Sequence, residues 1–313
     1  MKKGKRITTD KPVLGVVGLS APDAFWYPDL YRKGKSELEK RGVQIVEGGT
    51  VHTHHFYMAE DLKIIADDFH KMLLRKDIDA IMCAGGGTCI NKILPFLDFD
   101  LMKENWKPFI GISNIVALMA AMLQNDMVSF HGPFSIWSYG LPGTPTEYTH
   151  NNWVNILKGY TGKLPAVSEW KVCREGQAEG QLIGGNIWTM GTVAGTKYCP
   201  MDLFDGKILI LEDIGKTYDR LDATLTHMKL LGAFENLHGV IVGKLNDCKP
   251  PERVQMSIED FLGEVFGGYD FPIIYDCDFG HVPDNLCLPI GCEFKMVADK
   301  KQPELILLEP GVE

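Results

Sequence analysis

Short, continuous apolar runs recur along the first half of the chain, and the segments between them repeat their apolar positions at helical spacing. VLGVVGLSA (13–21), VQIVEGG (43–49), IDAIMCAGGG (78–87), KPFIGIS (107–113) and MVSFHGP (127–133) read as buried strands. PDLYRKGKSELEKRG (28–42) reads as an amphipathic helix closed by Gly42 as the residue after its C-cap. MAEDLKIIADDFHKMLLRKD (58–77) is a second helix, with apolar residues at 62, 64, 65, 69, 72 and 73. CINKILPFL (89–97) and NIVALMAAMLQND (114–126) complete the helical set. Continuous apolar strands alternating with amphipathic helices predict a parallel sheet covered on both faces.

The pattern changes at 134–180, where LPGTPTEYTHNN and scattered aromatics predict an irregular linker with one short helix at 151–159. Periodicity then resumes with GQLIGGNIWTMGTVAGT, KILILEDI (207–214), RLDATLTHMKLLGAF (220–234), HGVIVGKL (238–245), SIEDFLGEVFGGY (257–269) and PIIYDCDFG (272–280). CEFKMVADKKQPELILLEP (292–310) predicts an antiparallel ending. The expected fold class is therefore α/β in two domains. A doubly wound, Rossmann-like parallel sheet spans 1–140, a linker 141–180, and an α/β domain with a mixed sheet 181–313. No internal repeat or low-complexity segment is evident.

Length supports this division, since 313 residues suit two domains of ordinary size. A net charge of −9 disfavours a sequence-independent nucleic-acid or anionic-membrane surface, which needs a basic face. No apolar run reaches the roughly 18 residues of a membrane span. The basic N-terminus is followed by an Asp-Lys-Pro and a short apolar run, a first strand with a charged tail rather than a leader. The eight cysteines (83, 89, 173, 199, 248, 277, 287 and 292) contain no Cys-x-x-Cys pair and read as reduced, mostly buried side chains of a cytoplasmic protein. His52 and His54 would share one face of a strand, but a polar loop is the simpler reading, and no metal is expected.

In doubly wound sheets ligands meet the carboxyl ends of the strands. Three polar stretches would lie there: GLSAPD (18–23), AGGGT (84–88) and GISN (111–114). AGGGT allows a sharp turn and close backbone approach, and is not a Walker A loop because no Gly-Lys-Ser/Thr follows. Ser113 stands where a strand hands over to a helix, the geometry of a nucleophile elbow, although Ile115 replaces the usual second glycine. Taken alone, Ser113 reads more simply as a helix N-cap, for which Ser is a favoured residue. A nucleophile needs a base and a group to orient it. Glu212 ends a buried strand, where an unpartnered acid is costly. His281 follows a strand in a Gly/Pro-rich loop.

KPFIGISNIVALMAAM, MVSFHGP, EGQLIGGNIWTMGTVAGT, GKILILEDIGKTYDRLDATLTHMKLLGAF and FGHVPDNLCLPIG together resemble the LD-carboxypeptidase family of serine peptidases, which includes the microcin C self-immunity peptidases. The resemblance runs in order from about residue 13 to about residue 300. It implies a Ser113–Glu212–His281 triad at the interface of the two domains, with no cofactor. It also implies an oxyanion hole from the backbone N–H groups of Gly86 and Asn114, and a site bordered by GGNIWT, with Asn186 and Trp188 as substrate contacts. A homodimer acting on a small peptide or peptide-nucleotide is the family's pattern. Two departures bear on substrate. The carboxypeptidases carry Arg-Gly-Gly-Tyr-Gly where this chain has Ala84-Gly85-Gly86-Gly87-Thr88, and Gly-Tyr-Ser-Asp where it has Gly-Ile-Ser-Asn. The missing Arg removes a bidentate carboxylate donor. The first expectation is release of terminal D-Ala from a murein tetrapeptide. The alternatives are cleavage of the amide between an acyl group and a nucleotide-like moiety, with Trp188 or Trp137 as the aromatic platform, a metal-dependent hydrolase, and a non-catalytic peptide- or sugar-binding protein.

Overall fold

The computed structural model describes residues 1–134 and 137–313. Among these, the strands of the first half are β1 (Val13–Val17), β2 (Gln44–Glu47), β3 (Ala80–Cys83), β4 (Phe109–Gly111) and β5 (Ser129–His131). Those of the second are β6 (Gly162–Lys163), β7 (Lys171–Arg174), β8 (Gly176–Asn186), β9 (Ile208–Ile214), β10 (Gly239–Asn246), β11 (Ile273–Tyr275), β12 (Leu288–Ile290), β13 (Glu293–Ala298) and β14 (Glu304–Leu307).

Two sheets form. In the first, β2, β1, β3, β4 and β5 are parallel neighbours in the order β5-β4-β3-β1-β2. β3, β4 and β5 are buried at every position, the burial that continuous apolar runs predict for a sheet covered on both faces. The second sheet has the order β6-β14-β13-β8-β9-β10-β11-β7. Its centre, β8 to β11, is parallel, and its flanks are antiparallel. The two-sheet α/β class expected from the pattern is the class observed.

The helix Leu62–Leu74 starts where the Asp61 carboxylate accepts the Lys63 N–H at 3.0 Å, and it buries Ile65, Phe69, Met72 and Leu73. Ile64, read onto the same face, is exposed, because it lies a step off the stripe set by 65, 69, 72 and 73. Helix Pro28–Lys40 ends at Arg41, and Gly42 follows at φ +85°. The helix expected at 89–97 is a 3-10 helix, Ile90–Phe96, with Pro95 inside it. Pro95 lacks the N–H that a regular α-helix would use there.

The stretch expected as a linker is more structured than its composition suggests. Ser135 and Ile136, at its start, lie outside the described residues. A helix runs over Glu147–Leu157, and β6 and β7 join opposite edges of the second sheet. Strand β12, from the Gly/Pro-rich segment after residue 280, pairs antiparallel with β5 of the first sheet. Helix Val116–Gln124, directly after Ser113, is buried from Val116 to Leu123. It packs on β5 of the first sheet and on β8 and the helix Ile187–Val193 of the second. An all-round apolar helix is one with structure on every side.

Candidate active site

Strand β4 ends at Gly111, and Ser113 follows with φ +64°, a left-handed conformation that costs a non-glycine residue about 1–3 kcal/mol. Such a turn lifts the side chain out of the path of the chain, which an N-cap does not require. Ser113 is the first residue of the 3-10 turn Ser113–Ile115, whose N-cap is Ile112 with no side-chain cap hydrogen bond, so capping does not account for its conformation. Asn114 is anchored by its amide, which donates to Ser20 Oγ at 2.5 Å.

Glu212, near the end of β9, is completely buried. Its Oε2 lies 2.6 Å from His281 Nδ1. Gly280, at φ +120°, makes this approach possible: a Cβ there would sit 3.1 Å from Glu212 Cβ. His281 is held from behind, since Asn246 Nδ2 donates to its carbonyl at 2.9 Å and Gly280 N–H donates to Asn285 Oδ1 at 3.1 Å. Thr149, on the helix Glu147–Leu157, accepts the Asn285 N–H and donates to the Pro283 carbonyl, gripping the loop from the side.

The charges follow from this geometry. Burial would raise the Glu212 carboxyl, but His281, with His131 behind it, overcomes that and holds it well below the usual carboxylate range. Burial would likewise lower the His281 imidazole, and Glu212 outweighs it, leaving the imidazole above its ordinary value.

Ser113 and His281 line one cavity of about 500 Å³, together with Asp23, Gly86, Phe134, Trp137, Asn246 and Asn285. Residues of both sheets' loops meet there. No hydrogen bond joins Ser113 to His281 among the described residues, an arrangement usual in unliganded sites. A larger, shallower depression of about 730 Å³ lies beside helix Pro28–Lys40, lined by Arg32, Lys33, Glu37 and Lys40 and without a histidine. Ser113 and His281 both line the smaller cavity.

The remaining expected residues are distributed differently. Gly86 faces Ser113 closely enough that a Cβ on it would lie 3.2 Å from Ser113 Oγ, but its N–H donates to Asp23 Oδ2 at 3.0 Å. Asn186 pairs across from Glu212 at the end of β8 and caps the next helix, its Oδ1 accepting from the Thr189 N–H and hydroxyl. It is buried and is not part of the cavity lining. Trp188 is 45% exposed, with Lys216 Nζ 5.9 Å from its ring centre. His52 stacks edge-on against Tyr31 and His54 packs on Phe25 in a loop, and among the described residues no group of three His, Cys, Asp or Glu is placed to hold a metal ion. All eight cysteines are free thiols. No helix among the described residues is long and apolar enough to cross a membrane.

Two residues lie in stretches that the sequence singles out, GLSAPD and MVSFHGP, but received no role of their own there. His131 is fully buried on β5 with Nε2 3.8 Å from Glu212 Oε1, and neither atom has a hydrogen-bond partner among the described residues. It sits in the FHGP motif, but nothing in the sequence pairs it with an acid eighty residues away. Asp23 lies in an aromatic stretch, and its partners are remote in the chain.

A hydrolase working on amide bonds is what this two-sheet fold and site define. Residues 14–132 match the LD-carboxypeptidase N-terminal domain and residues 179–296 the LD-carboxypeptidase C-terminal domain. The chain belongs to the LD-carboxypeptidase family of peptidases. It is 28% identical to the microcin C7 self-immunity protein MccF of Escherichia coli, over 92% of this chain and 91% of that one. It is 30% identical to a probable murein peptide carboxypeptidase of Bacillus subtilis, over 95% and 92% of the two chains. The structure of MccF in complex with glutamyl sulfamoyl guanosine superposes with a TM-score of 0.91 at 25% identity, covering all of both chains.

Proposed function

We propose that this protein is a serine peptidase that uses Ser113, Glu212 and His281 to hydrolyse the amide between an aminoacyl group and a nucleotide-like leaving group. The observation that carries the catalytic reading is the strained Ser113 and the Glu212-bound His281 facing a single cavity. In this reading His281 Nε2 takes the Ser113 proton as Oγ attacks the carbonyl. Glu212 fixes the tautomer with the proton on Nδ1 and stabilises the imidazolium. The imidazolium then protonates the leaving nitrogen, and water, activated by the same imidazole, releases the acyl group from Ser113. Backbone N–H groups at Gly86 and Asn114 receive the developing oxyanion, and Gly86 does so once it turns from Asp23. Removing one such donor typically costs about 10²–10³ in rate.

Two features favour the nucleotide-like leaving group over a terminal D-Ala. Among the described residues no Arg or Lys lines the cavity, and Asp23 places a carboxylate there that would repel a free D-Ala carboxylate. Beyond it, Lys216 lies near enough to His281 to oppose its protonation and stands over the exposed Trp188. A cation beside an exposed indole suits a phosphate or sulfamate joined to a base. Trp188→Ala is expected to weaken binding of such a ligand to the Ser113→Ala protein by about tenfold, as loss of one base–aromatic stack does.

Mass spectrometry decides between the substrates. Wild-type protein is expected to release the amino acid from an aminoacyl sulfamoyl adenosine, and Ser113→Ala is not. Release of D-Ala from a murein tetrapeptide, with the sulfamoyl compound untouched, would reverse the substrate assignment and keep the triad.

A further inference from the structure

The carboxylate of Asp23 has no role in a Ser–Glu–His mechanism, yet it is built into the wall beside the nucleophile. It is 7% exposed. Its Oδ2 accepts the Gly86 N–H at 3.0 Å and the Trp137 Nε1–H at 3.3 Å. The glycine turn is moulded to it: a Cβ at residue 85 would lie 2.0 Å from Oδ2. Gly86 bridges the short distance between this carboxylate and Ser113, touching one with its N–H and packing against the other.

A buried carboxylate is normally paired with a cation, and Asp23 forms no ion pair among the described residues. Among the described residues its neighbours in the cavity supply neutral donors, and the one other titratable group there, His281, is committed to Glu212. Burial accordingly pushes the Asp23 carboxyl up, against the opposing hydrogen bonds of Trp137 and Gly86. A cationic group on a bound ligand would supply the charge that the cavity wall leaves out.

We infer that Asp23 anchors a free ammonium group on the acyl side of the scissile amide, making the site selective for acyl donors that carry an unblocked amine close to the reacting carbonyl. This rests on the hydrolytic reading of the same cavity. It applies to α-aminoacyl groups whose amine is free. The contact also couples recognition to catalysis. An ammonium bound to Asp23 neutralises the carboxylate and weakens its hold on the Gly86 N–H, and so frees that N–H for the oxyanion only when the right acyl group is present. A blocked or absent amine leaves Gly86 tied down.

The test compares aspartyl sulfamoyl adenosine with its N-acetyl derivative. Wild type is expected to show kcat/KM about 10- to 100-fold higher for the free amine, the range for a charge-assisted hydrogen bond. Asp23→Asn, which keeps the shape and an acceptor for Gly86, is expected to bring the two within about threefold of each other, mainly by losing rate on the free amine. Equal rates on both compounds with wild type, or an unchanged ratio in the variant, overturns the proposal. Calorimetric titration of Ser113→Ala with the same pair separates this from the peptidase reading. Tighter binding of the free amine without wild-type turnover keeps the anchor and removes the peptidase; equal binding removes the anchor whatever the turnover.

Discussion

Ser113 is under backbone strain, and its hydroxyl can be separated from its Cβ by substitution. Ser113→Ala is expected to lower kcat by about 10⁶, as loss of a triad serine does, with little change in stability. Ser113→Gly should be as inactive but more stable than the Ala variant by about 1 kcal/mol, because only Cβ makes the left-handed conformation costly. Thermal unfolding of the two dead variants reads this directly. His281 must be neutral to accept a proton, and Glu212 holds its pKa above the ordinary value. Activity should therefore rise with pH through a midpoint above about 6.5. Glu212→Gln removes the charge that raises the imidazole and leaves the burial that lowers it. The midpoint should then move below that value while kcat falls about 10⁴-fold, as for other triads whose orienting acid becomes an amide. A pH–rate profile that moved upward would contradict the assignment.

The helix Glu147–Leu157 illustrates at the level of elements how a segment without catalytic side chains can govern a site. Its Thr149 hydroxyl satisfies two backbone groups of the His281 loop. Thr149→Val keeps the shape and strands both, so a loss of about 1–3 kcal/mol is expected in denaturant unfolding, with a lower kcat although Ser113, Glu212 and His281 are intact. Undiminished kcat would mean that the loop holds its place without the helix. This region was also the least legible in the sequence. Buried parallel strands announce themselves, because β3, β4 and β9 must be apolar at nearly every position. Two-residue β6 and polar β7 sit at sheet edges, and β12 includes Pro289, so none carries a periodic signal. The strand-end positions of Ser113, Glu212 and His281 could be read from the chain, and the meeting of Glu212 with His281 could only be expected through the resemblance. Asp23 and His131 could not be assigned, since their meaning lies in Gly86 and Glu212, brought to them by folding alone.

In the molecule as a whole, the two sheets are joined by more than a flat contact. Helix Val116–Gln124 is enclosed by both, and β12 carries chain from beyond His281 back to β5. Far-ultraviolet circular dichroism and tryptophan fluorescence should therefore report one coincident denaturation transition. Two separated transitions would show that the halves unfold independently.

Strand β12 also bears on how a substrate gets in. Because the chain that bears His281 in the second half is stitched by its downstream end into the sheet that supports Ser113, the halves cannot gape like the jaws of a clamshell without first unpicking that stitch. Entry and exit must then be the work of the loops rimming the cavity. The same thread makes the nucleophile's half an unfinished piece when cut away from the rest. Its β5 would be left as a bare edge, so a split version of this protein should regain activity only when both fragments are present while folding.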